Sequence, residues 1–369
     1  MKILIAPDKF KGSLTAPEVC ESISKGLLKS DNSPELVKHP LADGGDGSID
    51  ILAEAMDMEK ISLKVPNPLG NPVDAYYYLS EKKAFIELAV ASGLVLCTPE
   101  NQNPINTSTL GTGLLILDAL NKGAKEIFLF VGGSATHDGG MGIAQALGFR
   151  FLDAHGHELQ PIGRHLAKVN QIDTGYQNLN PFSITVLHDV KNPLLGIHGA
   201  AATFAEQKGA TPDDVATLEA GMTHFVQLVE NLSGQKLKEQ PGMGAAGGVG
   251  VCLVGLLNAQ MKNGVDVLMK LTGFPESLEA FDWVITGEGQ LDEQSLKGKV
   301  VGTVATLAQK AGVPCVALVG QNKISERKLA NSGIWKVLSL VNYASNTQEA
   351  IEQGAKLLEQ VAFELQKEW

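Results

Sequence analysis

Lys2-Ile3-Leu4-Ile5-Ala6-Pro7-Asp8-Lys9-Phe10-Lys11-Gly12-Ser13, followed by Leu14 and then Thr15-Ala16-Pro17-Glu18, is the stretch on which the fold turns. A short apolar, β-branched run predicts a buried strand over residues 2–6. Thr15-Ala16-Pro17-Glu18 is a capping box with proline in the opening turn, so a helix starts there and covers 16–29. Asp8 to Ser13 is therefore the loop between the first strand and the first helix.

The same strand-to-helix alternation recurs outward from this point. Strands are expected at 36–39, 283–286, 314–319 and 336–340, with helices at 47–56, 299–311, 325–331 and 347–366. Apolar strands alternating with helices predict a parallel sheet covered on both faces, a doubly wound α/β domain. The middle of the chain reads differently. Strands at 61–65, 73–79 and 83–88, separated by Pro66-Asn67-Pro68-Leu69-Gly70-Asn71-Pro72 and Ser80-Glu81-Lys82, suit an antiparallel meander. Further strands at 126–131, 150–153 and 183–187 lead to glycine-rich helices after Pro241. The expectation is an α/β domain built from 1–60 and 280–369, interrupted by a mixed α+β domain over 61–279.

Composition narrows the function classes. A chain of 369 residues with 44 % apolar content can fill two cores. Its net charge of −11, with no basic tract, argues against nucleic-acid and anionic-membrane partners. No run approaches the roughly 20 apolar residues of a membrane span. The residues before Pro7 and Asp8 are too few for a secretory segment, so a cytoplasmic location is expected. Cys20, Cys97, Cys252 and Cys315 stand singly without metal-ligand spacing and read as buried thiols. The arginines are only Arg150, Arg164 and Arg327, so anion recognition must rest on lysines, backbone N–H groups and helix N-termini.

Four segments read as a strand running into a glycine-rich loop with a carboxylate, then a helix. They are Asp8 to Ser13; Asp43-Gly44-Gly45-Asp46-Gly47; Gly132-Gly133-Ser134-Ala135-Thr136-His137-Asp138-Gly139-Gly140; and Gly287-Glu288-Gly289-Gln290-Leu291-Asp292. Any one of them could be a solvated turn with a helix cap. Four together suit a nucleotide polyphosphate with a magnesium ion, because glycines admit anionic oxygens and one or two carboxylates hold the metal. Asp189, after the strand at 183–187, is the candidate for accepting a substrate hydroxyl proton; an Asx-turn is its structural alternative.

Asn106-Thr107-Ser108-Thr109-Leu110-Gly111-Thr112-Gly113 opens a helix through Leu120 and could grip an anion or merely cap. Gly242-Met243-Gly244-Ala245-Ala246-Gly247 matches a dinucleotide fingerprint in form but follows no strand, and Gly298-Lys299 lacks the rest of a P-loop. The histidines show no zinc spacing and read as surface or packing residues, His137 standing out only by its place in the third loop.

At these loops the sequence resembles the type I glycerate kinase family from end to end. The resemblance rests on Ala6 to Ser13, Ala42 to Gly47, Gly132 to Gly140, Asp189-Val190-Lys191-Asn192-Pro193-Leu194, Gln207-Lys208-Gly209-Ala210, Gly244-Ala245-Ala246-Gly247-Gly248 and Ile285-Thr286-Gly287-Glu288-Gly289. It departs at Lys9, where the family often has serine, at His137, where it often has asparagine, and at Ala205-Glu206, where Gly-Pro is common. The resemblance implies a flavodoxin-like domain with an inserted restriction-endonuclease-like domain, and ATP- and Mg²⁺-dependent phosphorylation of D-glycerate, with 2-phosphoglycerate favoured.

On that basis Asp189, Lys11 and Asp8 are the expected catalytic residues, and Asp43, Glu288 and Asp292 the expected metal ligands. Ser13, Gly44, Gly45, Ser108, Thr109, Gly132, Gly133, Ser134, Thr136, Asp138, Asn192, Lys208 and Gly287 are expected to bind substrate or phosphate. Glycerate is expected between the domains, its carboxylate near Ser108 and Thr109. The rival readings are a nicotinamide-linked dehydrogenase of small hydroxy acids, which would use the glycines at 242–247, and a non-catalytic nucleotide or sugar-phosphate sensor. Release of ADP on addition of glycerate separates the kinase from both.

Overall fold

The computed structural model describes residues 1–29, 34–45, 47–174, 181–296 and 298–369. Asp46 of the second glycine loop lies outside them. Among the described residues the strands in chain order are β1 (Lys2–Ile5), β2 (Glu35–Lys38), β3 (Glu59–Pro66), β4 (Pro72–Ser80), β5 (Lys83–Glu87), β6 (Glu126–Phe130), β7 (Arg150–Leu152), β8 (Gln171–Asp173), β9 (Ser183–His188), β10 (Gln260–Asn263), β11 (Trp283–Leu291), β12 (Cys315–Asn322) and β13 (Ile334–Ser339).

The chain divides into two compact units, one of Met1–Asp43 with Val265–Trp369 and one of Gly44–Gly264. The first unit holds a wholly parallel sheet in the order β13-β12-β11-β1-β2. Counting only this unit's strands, the order is 2-1-3-4-5, that of flavodoxin-like folds. Its two faces can be read off β1 directly. Ile3 and Ile5 join one buried layer with Val19, Ile23, Leu358 and Val361, while Leu4 and Ala6 join the other with Val284, Val301 and Val304. Successive side chains of a strand point to opposite faces, and apolar residues on both bury the sheet twice.

The first helix, Ala16–Leu27, starts where its capping box directs. Thr15 N donates to Glu18 Oε2 at 2.8 Å. Gly26 lets it lie against the last helix, Gly354–Gln366, because a Cβ there would be 2.2 Å from Glu359 O. The helix expected at 347–366 is two, Thr347–Glu352 and Gly354–Gln366, parted at Gln353.

The second unit carries a mixed sheet in the order β10-β9-β6-β5-β4-β3. The expected meander is there, β3 and β4 and then β4 and β5 pairing antiparallel, but β5, β6, β9 and β10 run parallel. The helix Ser48–Ala55, which the sequence reading grouped with the parallel sheet, falls in this unit. Glu87 Oε1, at the end of β5, accepts from Ile49 N at 3.1 Å, and Asp50 accepts from the Tyr78 hydroxyl at 3.0 Å. At the other boundary Val265 and Met269 pack with Leu4 and Val284 in the first unit. All four cysteines are free and buried. No helix among the described residues is long and apolar enough to cross a membrane.

Candidate active site

Ligands of open parallel sheets bind beyond the carboxyl ends of the strands, where the strand order reverses. In the first unit that point lies between β1 and β11, and a cavity of about 370 Å³ opens there. Asp8, Lys11, Ser13, Asp43, Glu288 and Asp292 all line it, as do Lys9 and Lys299. The loop after β1 is tightly built. Asp8 N donates to Gly287 O at 2.8 Å and Phe10 N to Leu14 O at 2.8 Å, with Gly12 at φ +78° closing the turn. Asp8 is consequently buried, 6 % exposed, and its Oδ1 accepts from Lys9 N at 2.7 Å.

Crowded carboxylates dominate the electrostatics. Burial first, then the Asp43 charge, pushes the Asp8 carboxyl well above the usual range. Burial also raises Glu288, to about 7, and the Asp292 and Asp43 charges push the same way. Glu288 Oε1 is buried without a hydrogen-bond partner. Among the described residues no group of three or more His, Cys, Asp or Glu side chains stands ready to hold a metal ion. Mg²⁺, however, commonly takes one or two carboxylates and completes its shell with water and phosphate oxygens. Mutually repelling Asp8, Asp43 and Glu288, with an unpartnered oxygen on the last, fit such an ion.

One loop is corrected. Gly287 to Leu291 is not a turn after a strand but the second half of β11, in register with β12 from Gly287↔Leu318 to Leu291↔Asn322. Gly287 is therefore a buried strand residue, where a Cβ would lie 2.1 Å from Leu318 O, and close backbone packing is its reason for being glycine. The turn begins at Asp292, whose Oδ1 accepts from Gln294 N at 2.8 Å and Ser295 N at 3.2 Å.

Gly44, Gly45, Ser108, Thr109, Gly132, Gly133, Ser134, Thr136, Asp138, Asp189, Asn192 and Lys208 belong to the second unit. Asp138 is fully buried and its carboxylate is occupied. Oδ2 accepts from Thr109 N and Thr109 Oγ1 at 2.8 Å each and from Gly142 N at 3.2 Å, while Oδ1 accepts from Gly140 N at 3.1 Å. Thr109 Oγ1 in turn accepts from Ile143 N at 3.1 Å. The pair thus ties the start of the helix Leu110–Asn121 to that of Met141–Ala146, so these two residues, expected to bind a ligand, are hydrogen-bonded to helix starts. Beside them Lys208 Nζ donates to Thr136 O at 2.8 Å and reaches Ser134 Oγ at 3.5 Å, and the Ser134 and Thr136 hydroxyls are 2.9 Å apart. Burial lowers the Lys208 ammonium to about 8. Ser108 Oγ accepts from Leu110 N at 3.1 Å, and Gly132 and Gly133 lie toward the surface of their loop.

His137, between Thr136 and Asp138, is buried with neither ring nitrogen hydrogen-bonded. Burial, then the Lys208 charge, lowers it to about 3. The imidazole is neutral in the folded chain, so its stabilisation is complete above pH 6.5 and is lost as pH falls from there toward 3. At pH 4 the loss is expected to be about 3 kcal/mol. A His137→Leu variant should show a correspondingly shallower fall in urea-unfolding free energy between pH 6.5 and pH 4.

Asp189 sits in the turn after β9. His188 Nδ1 lies 2.8 Å from Val190 O, and Gly244 N donates to Asn192 O at 3.1 Å. Asn192 Nδ2 is spent on His198 O at 2.9 Å and Thr203 Oγ1 at 3.3 Å. Gly242, at φ +82°, lies so close that a Cβ would meet His188 Cε1 at 2.3 Å. The glycines at 242–248 are therefore packed against their own chain and follow a turn, not a strand. Gly44, at φ +92°, is buried with Gly264 Cα 3.1 Å from where a Cβ would sit, and Gly45 is half-buried.

Sequence reasoning missed Lys299, Gln321, Val341, Thr347, Ala350 and Ile351 as lining of the cavity. For Lys299 a signal existed, since a lysine directly after glycine at a helix start faces whatever that start faces. The others come from the end of the chain and carry no local signature.

The family model described as the glycerate kinase family matches residues 3–369. A glycerate kinase of Halalkalibacterium halodurans is 40 % identical over 98 % of this chain and 96 % of its own length. A glycerate 2-kinase of Escherichia coli K12 is 38 % identical over 95 % and 93 %. The crystal structure of a protein assigned as glycerate kinase 2 from Salmonella typhimurium LT2 superposes with a TM-score of 0.84 at 36 % identity, covering 100 % of this chain and 98 % of that one.

Proposed function

The chain belongs to the glycerate kinase family and is an ATP-dependent glycerate kinase, and from that premise we propose that it phosphorylates the 2-hydroxyl of D-glycerate with Mg²⁺ as the helper ion. The observation that carries the placement is the cavity at the strand-order reversal, where Asp8, Lys11, Asp43, Glu288 and Asp292 meet. A triphosphate needs cations and backbone approach, and Lys9, Lys11 and Lys299 supply the first while the loop after β1 supplies the second. Asp43 and Glu288, with Asp8 or Asp292, would hold the Mg²⁺, which when bound neutralises charge on the phosphate oxygens. Lys11 would stabilise charge on the transferring phosphoryl group.

Asp189 would accept the proton of the reacting hydroxyl at its carboxylate, held in place by the His188–Val190 turn. Lys208, fixed by Thr136 O, and the half-exposed Ser108 would orient the acid substrate. The regiochemistry is supported by the E. coli relative, a glycerate 2-kinase. The cytoplasm is the compartment this reading expects. A dehydrogenase would need the glycines at 242–247 as a pyrophosphate turn, and they follow no strand.

The test is coupled detection of ADP. The purified protein should release ADP from ATP on addition of D-glycerate, and chelation of Mg²⁺ with EDTA should stop it. ATP binding without glycerate-dependent ADP release would leave the sensor reading in its place.

A further inference from the structure

Carboxylates and lysines make up only part of the lining of the first unit's cavity. Its apolar lining is Phe10, Val341, Ala350 and Ile351. Phe10 and Ala350 belong to the buried layer against the sheet, and Val341 packs on it, so this wall is backed by rigid core. Ile351 is different. It is 39 % exposed on the short helix Thr347–Glu352, whose other residues are mostly polar. Core packing leaves that much of its side chain in water, but a ligand in the cavity would cover it.

We infer that this wall is the subsite for the base and sugar of the nucleotide, with the triphosphate directed toward Asp8, Lys11 and Lys299. The inference rests on the kinase reading and adds to it the orientation of ATP. Ligand sites of this size join a mostly apolar surface to a few placed polar groups, and a nucleoside triphosphate has that same polarity along its length. Two segments of the lining are joined by a hydrogen bond. Ser13 Oγ in the loop after β1 donates to Ile351 O at 2.5 Å, so the loop that would meet the phosphates and the helix that would meet the base are positioned together. Gly289 and Gly320 on neighbouring strands also line the cavity, and close backbone packing is the reason for both. A Cβ on Gly320 would lie 2.3 Å from Gly289 O.

Two measurements on the full chain test this. In steady-state kinetics, Ile351→Glu should raise KM for ATP about tenfold, with a much smaller change in KM for glycerate. An ATP KM for Ile351→Glu within about twofold of wild type would overturn the subsite. Independently of any variant, 8-azido-ATP irradiated with the wild-type protein should label the peptide spanning 341–351, and excess ATP should protect it. Label found only on peptides outside the cavity lining would overturn the inference. If the wild type releases no ADP with glycerate, the kinase reading fails by itself, and the labelling pattern still decides where the nucleotide lies.

Discussion

Asp189→Asn is expected to lower kcat with glycerate by about 10²–10⁴, the usual cost of losing a general base, with KM changing far less. The substitution suits the question because asparagine keeps the size and one oxygen of the side chain while removing its basicity. The turn itself is secured by other groups. His188 Nδ1 meets Val190 O, Gly244 N donates to Asn192 O, and β9 is paired with β6 on one side and β10 on the other. Turnover within about tenfold of wild type would remove Asp189 from the role of base, since general-base effects are larger than that.

Asp138→Leu is expected to act on stability and not on chemistry. The carboxylate satisfies Thr109 N, Gly140 N and Gly142 N in a fully buried site, and its charge acts on buried Lys208. Each donor left unpaired costs about 1–3 kcal/mol. Burial raises the Asp138 carboxyl, which means that its own desolvation offsets part of this. The net expectation is a loss of about 4 kcal/mol in urea unfolding, a large share of the roughly 5–15 kcal/mol typical of a folded protein. Asp138→Asn keeps an acceptor and should lose less. A Leu variant of unchanged stability would show that the two helix starts are held by something else.

The parallel sheet was legible because its strands are buried on both sides and so are short apolar runs with clear punctuation, as at Ile3-Leu4-Ile5 before Pro7. The capping box at Thr15 marked the start of the first helix at Ala16, though not its end at Leu27. The second half of β11 was not legible, since Gly287, Glu288 and Gly289 look like a turn; what makes them a strand is the ladder to Leu318 and its neighbours, which sequence does not display. Gln260–Asn263 escaped for another reason: it is a polar edge strand with no apolar run to announce it. Of the cavity lining, Asp8, Lys11, Ser13, Asp43, Glu288 and Asp292 stood out in the sequence, because phosphate and metal chemistry needs those residue types. Asp138 was ambiguous because a carboxylate among glycines caps helix starts and binds ligands by the same hydrogen bonds. Ile351 was invisible because its partner Ser13 is 338 residues away.

The account as a whole is tested most directly by phosphorus NMR of a reaction containing the protein, ATP, Mg²⁺ and D-glycerate. It expects the ATP signals to give way to those of ADP and, in equal amount, the phosphomonoester of 2-phosphoglycerate. ATP left intact, or consumed to ADP and inorganic phosphate with no phosphorylated glycerate, would contradict it.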